Sequence, residues 1–186
     1  MSSLPIIPDG VRRSGTSHPA HLPEERELGQ PTPSIRIRQF RAHDAQALSE
    51  LLAELREDPA SAHFHPHPFT QDTALRIAER RGIRRDAYFG AFLDGSLIGY
   101  GMLRGWDEGY EVPSFGVAVG TRHRGMGIGR RLLRHAISIA RRRKAPSVML
   151  KVHPANANAK HLYESEGFTF DPAPLEGGQI KGMLNF

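Results

Sequence analysis

The chain of 186 residues has the length of one ordinary domain, able to bury about 70% of its unfolded surface without covalent staples. It holds no cysteine, which excludes disulfides, thiolate zinc sites and a cysteine nucleophile. Its formal net charge is +5, and no apolar run approaches the ~20 residues of a membrane span, so a soluble cytoplasmic protein with no membrane partner is expected.

Residues 1–34 are rich in Pro, Ser and Gly, follow neither hydrophobic period and cannot offset ordering entropy, so an extended or disordered arm is expected. The alternative is a segment that wraps a partner subunit in a homodimer, docking Leu4, Ile6, Ile7, Val11 and Leu22. A single domain then spans residues 35–186. Alternation from Ile35 to Phe40 predicts a strand. Asp44 is placed to cap a helix whose apolar positions are Ala47, Leu48, Leu51, Leu52 and Leu55, and Thr70 to cap a second through Ala74, Ile77 and Ala78. Between them, Asp58 to Phe69 is a loop dense in Pro and His. Tyr88 to Leu93, the turn Asp94-Gly95, and Ser96 to Leu103 form a hairpin pattern. A strand is expected from Tyr110 to Val119. Beyond it come a Gly-rich turn, a helix with its apolar stripe at Gly129, Leu132, Leu133, Ala136, Ile137 and Ala140, and a strand from Ser147 to Val152. Last strands are expected at Phe168 to Phe170 and Gln179 to Leu184. The order is β-α-α-β-β-β-α-β-α-β-β, an α/β chain with a mixed sheet.

The turn before the third helix carries the chemistry. Glycines at 125, 127 and 129 let the backbone of Arg124 to Arg130 bend sharply, and the first N–H groups of a helix lack internal partners, so an anion site is expected there. A turn needed only for close packing is the plainer alternative. Gly120 and Gly125 have P-loop spacing, but Met126 and Gly127 stand where its lysine and hydroxyl residue belong. A dinucleotide site would want an acidic residue about 20 positions on, and the next strand carries Lys151 instead.

What remains is Arg124-Gly125-Met126-Gly127-Ile128-Gly129, of the form R-x-x-G-x-G, and further on the run Asn156 to Phe168, of the form N-x-x-A-x-x-L-Y-E-x-x-G-F. With a strand between them, these motifs resemble the GNAT superfamily of acyl-CoA N-acyltransferases over residues 35–186. The resemblance implies a V-shaped cleft in the sheet and acetyl-CoA as cosubstrate. It implies coenzyme contacts from Val117 and Val119 on the strand, from Arg124, Gly125, Met126, Gly127, Ile128, Gly129 and Arg130 in the loop, and from Asn156 and Tyr163. It further implies direct transfer to a primary amine in a ternary complex, with Tyr163 protonating the departing thiolate. Asn156 could equally cap its helix.

The general base departs from the family pattern. Where some members carry a glutamate twelve positions before the tyrosine this chain has Lys151, and eleven positions before the R-x-x-G-x-G motif it has Pro113. Glu111, two residues before Pro113, would share a strand face with that position, and His153, just past the strand carrying Lys151, brings an imidazole, a side chain suited to proton exchange; both are candidates. The resemblance also sets the loop after the first helix beside the acceptor, so Phe64 and His65 are expected to shape that site, and Trp106, a large side chain beyond the hairpin, is expected to join them. The run His63 to Pro68 contains no carboxylate and two prolines, so no metal is expected. Few carboxylates flank these loops, which points to a small amine of modest charge over a polycation, with a protein N-terminus or lysine as the alternative acceptor. From other classes, a non-catalytic acyl-CoA-binding regulator and a nucleic-acid-binding protein remain as rivals, the latter because of the run Arg141-Arg142-Arg143-Lys144. That run has no interleaved aromatics and sits at a helix C-terminus, where the dipole favours cations anyway.

Overall fold

The computed structural model describes residues 34–62, 64, 66–175 and 177–186. The expected arm over residues 1–34 lies outside the described residues except for Ser34, and so do His63 and His65.

Eleven elements follow the expected order. They are β1 (Ile35–Gln39), α1 (Ala45–Glu57), α2 (Gln71–Ala78), β2 (Ala87–Leu93), β3 (Ser96–Arg104), β4 (Ser114–Val119), α3 (Ile128–Arg142), β5 (Ser147–Val152), α4 (Ala157–Ser165), β6 (Thr169–Phe170) and β7 (Ile180–Asn185). The seven strands form one sheet in the order β1-β2-β3-β4-β5-β7-β6. All neighbours are antiparallel except β4 and β5. That parallel pair is short, with register only at Ser114 against Met149 and Phe115 against Leu150. Beyond those two positions the strands are no longer paired, and the sheet opens into the expected V.

The sheet separates two apolar cores, because its central strands are buried on both faces. On β2, Tyr88 and Phe92 join the side chains of α1 and α2, whereas Phe89 and Ala91 join those of α3. A bulge opposite Ala91 and Phe92 shifts the register, pairing Ala91 with Gly99 and Phe92 with Leu97 and leaving Ile98 of β3 as the extra residue. α3 packs through Leu132, Leu133, Ala136 and Ala140, all with zero exposure, and each leucine contributes about 2 kcal/mol of burial. It ends where Lys144 takes a positive φ of 58° and the Ala145 N–H reaches back to the Ala140 carbonyl at 3.0 Å, with Pro146 barring continuation. The hairpin turn is as expected, since Asp94 and Gly95 have φ of 47° and 89°, the signs a two-residue hairpin turn of the primed type requires.

Two local expectations are corrected. Asp44 does not cap α1 with its side chain; it sits in a 3-10 turn, where its carboxylate accepts from Arg38 at 2.6 and 2.8 Å and from the Arg41 N–H at 2.7 Å. The strand expected from Tyr110 begins only at Ser114. Gly105 and Gly109, with φ of 111° and 92°, fold the preceding residues into a turn closed by the Tyr110 N–H on the Gly105 carbonyl at 2.9 Å. Glu111 is therefore in an exposed bend, and the alternation that would align it with Pro113 does not apply. Thr70 caps α2 as expected, accepting from the Thr73 N–H at 3.2 Å.

Candidate active site

β4 leads through a short 3-10 turn (Thr121–His123) into the glycine loop and α3. Gly127 is the N-cap of α3, with φ of 73°, and Gly125 has φ of 77°. Nothing lies within 4 Å of where a Cβ would stand at either one, so close packing is not the reason for these glycines. Their left-handed backbone is the reason. No side chain caps α3 and no acidic residue occupies its first turn, so its leading N–H groups face outward beside exposed backbone from Arg124 to Gly127. An uncapped 15-residue helix whose entry turn is open to solvent is suited to a phosphate.

The loop is held from the α1 side by two carboxylates. Glu54 accepts from both the N–H and the hydroxyl of Thr121 at 2.6 Å each. Asp58 takes the Arg124 guanidinium and the Ser61 hydroxyl, and the Arg124 bond in particular draws the Asp58 pKa down to about 2. Arg124 thus turns its side chain toward the start of the loop between α1 and α2, leaving its backbone in the glycine turn. On the other flank, Glu166 after α4 accepts from Arg130 at 2.5 Å and Arg134 at 2.9 Å, which ties the start of α3 to the second motif. The basic run after Ile139 is engaged within the molecule: Arg141 lies over Phe186 at 4.9 Å, and Arg143 lies over Trp106 at 4.6 Å while donating to the Arg85 carbonyl.

On the α1 and α2 face of the sheet, directly above the β4 and β5 junction, lies a cavity of about 1160 Å³. Its floor carries Arg104 of β3, Ser114 of β4, Lys151 of β5 and Lys181 of β7; Arg104 is opposite Ser114, Ser114 opposite Met149, and Lys151, two residues beyond Met149, opposite Lys181. Three loops wall it: Phe64 and Pro66 after α1, Tyr110 and Glu111 before β4, and Gln179 before β7. Phe64, set against Phe69 and Tyr100 at ring distances of 6.2 Å, lines this cavity. Arg104 braces the rim through the Pro66 carbonyl and Glu108.

Trp106 is a correction. It is 4% exposed, absent from the cavity wall, and anchored from below: its N–H donates to the buried Asp86 carboxylate at 2.9 Å, and its indole N–H to the Glu111 carbonyl at 3.4 Å. Burial raises the Asp86 pKa, with the Asp107 and Trp106 amides working against that shift. Together with Asp107, which accepts from the amides of residues 84–86, this knot fixes the base of the loop before β4. His153 is also outside the cavity wall; it follows β5, and its Nδ1 accepts the Ala155 N–H at 3.2 Å. Asn156 is the N-cap of α4, with Oδ1 accepting the Ala159 N–H at 3.1 Å.

Tyr163 of α4 lies on the opposite face of the sheet, 7% exposed and packed edge-on against Phe115 at 6.4 Å and against Phe168 at 5.9 Å. Burial pushes its pKa up to about 12. Phe115 is the last β4 residue paired with β5, so the phenol and the cavity lie on the two sides of the point where the V begins. Sequence reasoning missed the cavity floor. Arg104 and Lys181 belong to no motif; the register of β5 and β7 sets Lys181 beside Lys151, and that of β3 and β4 sets Arg104 beside Ser114 on the same floor. Among the described residues no group of three or more His, Asp or Glu side chains is placed to hold a metal ion.

Residues 49–168 match the model of the Acetyltransferase (GNAT) family. Streptothricin acetyltransferase of Streptomyces lavendulae is 39% identical over 94 residues, covering 48% of this chain and 49% of the relative, so the match spans about half of that protein. N-alpha-acetyltransferase RimI of Mycobacterium tuberculosis is 35% identical over 129 residues, covering 67% and 72%. Among solved structures, yncA from Salmonella typhimurium with acetyl-CoA superposes with a TM-score of 0.68 at 23% identity, over 81% of this chain and 93% of that one. PaiA N-acetyltransferase from Thermoplasma acidophilum with coenzyme A gives 0.67 at 20% identity, over 82% and 99%, a likeness of fold. With the family match covering well over half the chain and both motifs inside it, a sheet split beside a glycine-opened helix finds its place: the chain belongs to the acetyltransferase (GNAT) family.

Proposed function

We propose that the protein transfers an acetyl group from acetyl-CoA to a primary amine of a small molecule, by direct attack in a ternary complex. The observation that carries this is the loss of β4 and β5 pairing between an open helix N-terminus and a cavity on the sheet. In this reading the pyrophosphate rests on the amides of residues 124–130 and the pantetheine arm passes along Val117 and Val119 in the V. The thioester then reaches the cavity floor beside Phe115. The acceptor nitrogen attacks the thioester carbonyl, the carbon–sulfur bond breaks, and Tyr163 gives its proton to the leaving thiolate. Glu111 at the cavity wall receives the amine proton, directly or through water. Its position on the wall favours it over His153, which is outside.

The cavity is near the upper end of small-ligand pockets, large enough for an acceptor and a thioester tip together. A second reading, acetylation of a protein N-terminus, is favoured by the RimI relative, which matches more of its length than the others. An assay of thiol release from acetyl-CoA with small amines, aminoglycosides, polyamines and N-terminal peptides separates the two. Product mass spectra are expected to show transfer first to a monocationic or zwitterionic small amine. Transfer to peptides alone would establish the second reading, and coenzyme binding without any transfer would make the protein a non-catalytic coenzyme binder. Glu111→Gln should lower turnover at neutral pH and recover it as rising pH deprotonates the acceptor itself.

A further inference from the structure

The cavity floor is cationic in a way that neither fold nor coenzyme requires. Lys151 and Lys181 are register partners on the antiparallel pair β5 and β7, so both side chains rise from the same patch of floor. Like charges directly opposite on such a pair destabilise it. Lys181 is relieved by Asp171, 2.9 Å away. Lys151 is exposed, and among the described residues it forms no ion pair. The third cation of the wall, Arg104, is matched by Glu108 at 3.3 Å, and its Nε is buried with no partner. With Arg104 paired to Glu108 and Lys181 to Asp171, Lys151 is the floor cation that forms no ion pair among the described residues, and Glu111 is the wall carboxylate that forms none there.

Resting on the reading of this cavity as the acceptor site, we propose that Lys151 and Lys181 seat an oxyanion of the acceptor, a carboxylate, while Glu111 faces its amine. The acceptor is then a zwitterion of the amino-acid type. An ammonium on each of two adjacent strands offers a carboxylate one charge-assisted bond per oxygen, and the anion removes the repulsion between the lysines. The same two charges disfavour the protonated form of an amine held nearby, which promotes the neutral nucleophile where the familiar glutamate has become Lys151. A polycationic acceptor meets repulsion on this floor.

The test pairs free amino acids with their carboxamides, with amino-sugar phosphates as the other oxyanion source, in the wild type and in the Lys151→Gln, Lys181→Gln double variant. The free acid should exceed its carboxamide by about tenfold or more in kcat/KM, the scale of a charge-assisted pair. The double variant should erase that ratio while the KM for acetyl-CoA stays constant, which also reports that it folds. A readout without turnover is calorimetric binding of an N-acetyl amino acid and of its amide to the coenzyme A-loaded protein. There the acid should bind more tightly in the wild type and equally in the variant. Equal use and binding of acid and amide by the wild type would overturn the proposal, as would a preference that survives in the variant. An amino-sugar phosphate that outranks every carboxylate would overturn the assignment to a carboxylate. Absence of transfer to any amine, with acid-selective binding retained, would instead defeat the enzymatic reading and leave the oxyanion seat standing.

Discussion

Tyr163 and His67 are both moved by burial, in opposite directions and with different consequences. With its pKa raised to about 12, Tyr163 stays a neutral phenol throughout the physiological range, which suits a donor to a thiolate and rules out a resident phenolate. Tyr163→Phe should lower kcat by ~10²-fold with coenzyme affinity unchanged, checked by single-turnover kinetics beside calorimetry. His67 is packed among Phe69, Tyr88 and Tyr100 and bonded to the Tyr100 hydroxyl at 3.3 Å; burial lowers its pKa from the ordinary 6.5. A depressed folded value means that the unfolded chain takes the proton first, so stability is full above pH 6.5 and is lost as pH falls toward the folded value. Melting temperature should drop between pH 7 and 5 more steeply in the wild type than in His67→Phe. Equal slopes would show that other groups set the acid limb.

The glycine loop and its clamps act as one element. Gly127→Val puts a β-branched residue at φ of 73° and a side chain into the open space over the helix N-terminus. The strain costs about 1–2 kcal/mol, and coenzyme affinity should fall at least tenfold; unchanged affinity would place the pyrophosphate elsewhere. Asp58→Asn should destabilise by about 1 kcal/mol, since Arg124 is partly exposed and solvent screens the pair. The Asp58 pKa is depressed to about 2 from an ordinary 3.8, so this contribution is present above pH 4 and disappears between pH 4 and 2, apart from the His67 window. The loop was legible from residues alone, because R-x-x-G-x-G before an apolar stripe defines both its backbone and its helix. The clamp was not. Glu54 and Asp58 lie 67 and 66 positions from the residues they hold, and a lone carboxylate late in a helix gives no sign of a partner so distant.

Across the whole molecule, element order was readable because each segment carries its own period, from the alternation of Ile35 and Ile37 to the stripe of Leu132 and Leu133. What sequence could not reveal was register. Glu111 was set on a strand by extrapolating alternation backward through Pro113, whereas two positive-φ glycines had already turned the chain. Trp106 was assigned to the acceptor because large aromatics often line sites, whereas its backbone is held by the buried Asp86, a pairing across 20 positions. The two-position seam between β4 and β5 has a thermodynamic meaning as well. The ladders joining β1 to β4 in turn, and that of β5 with β7, are longer, so heat should enter the ligand-free sheet along this line, and its calorimetric unfolding enthalpy should exceed the van't Hoff value. Coenzyme lying in the V would act as a surrogate strand, and saturation with it should merge the melting into one sharp, fully cooperative transition.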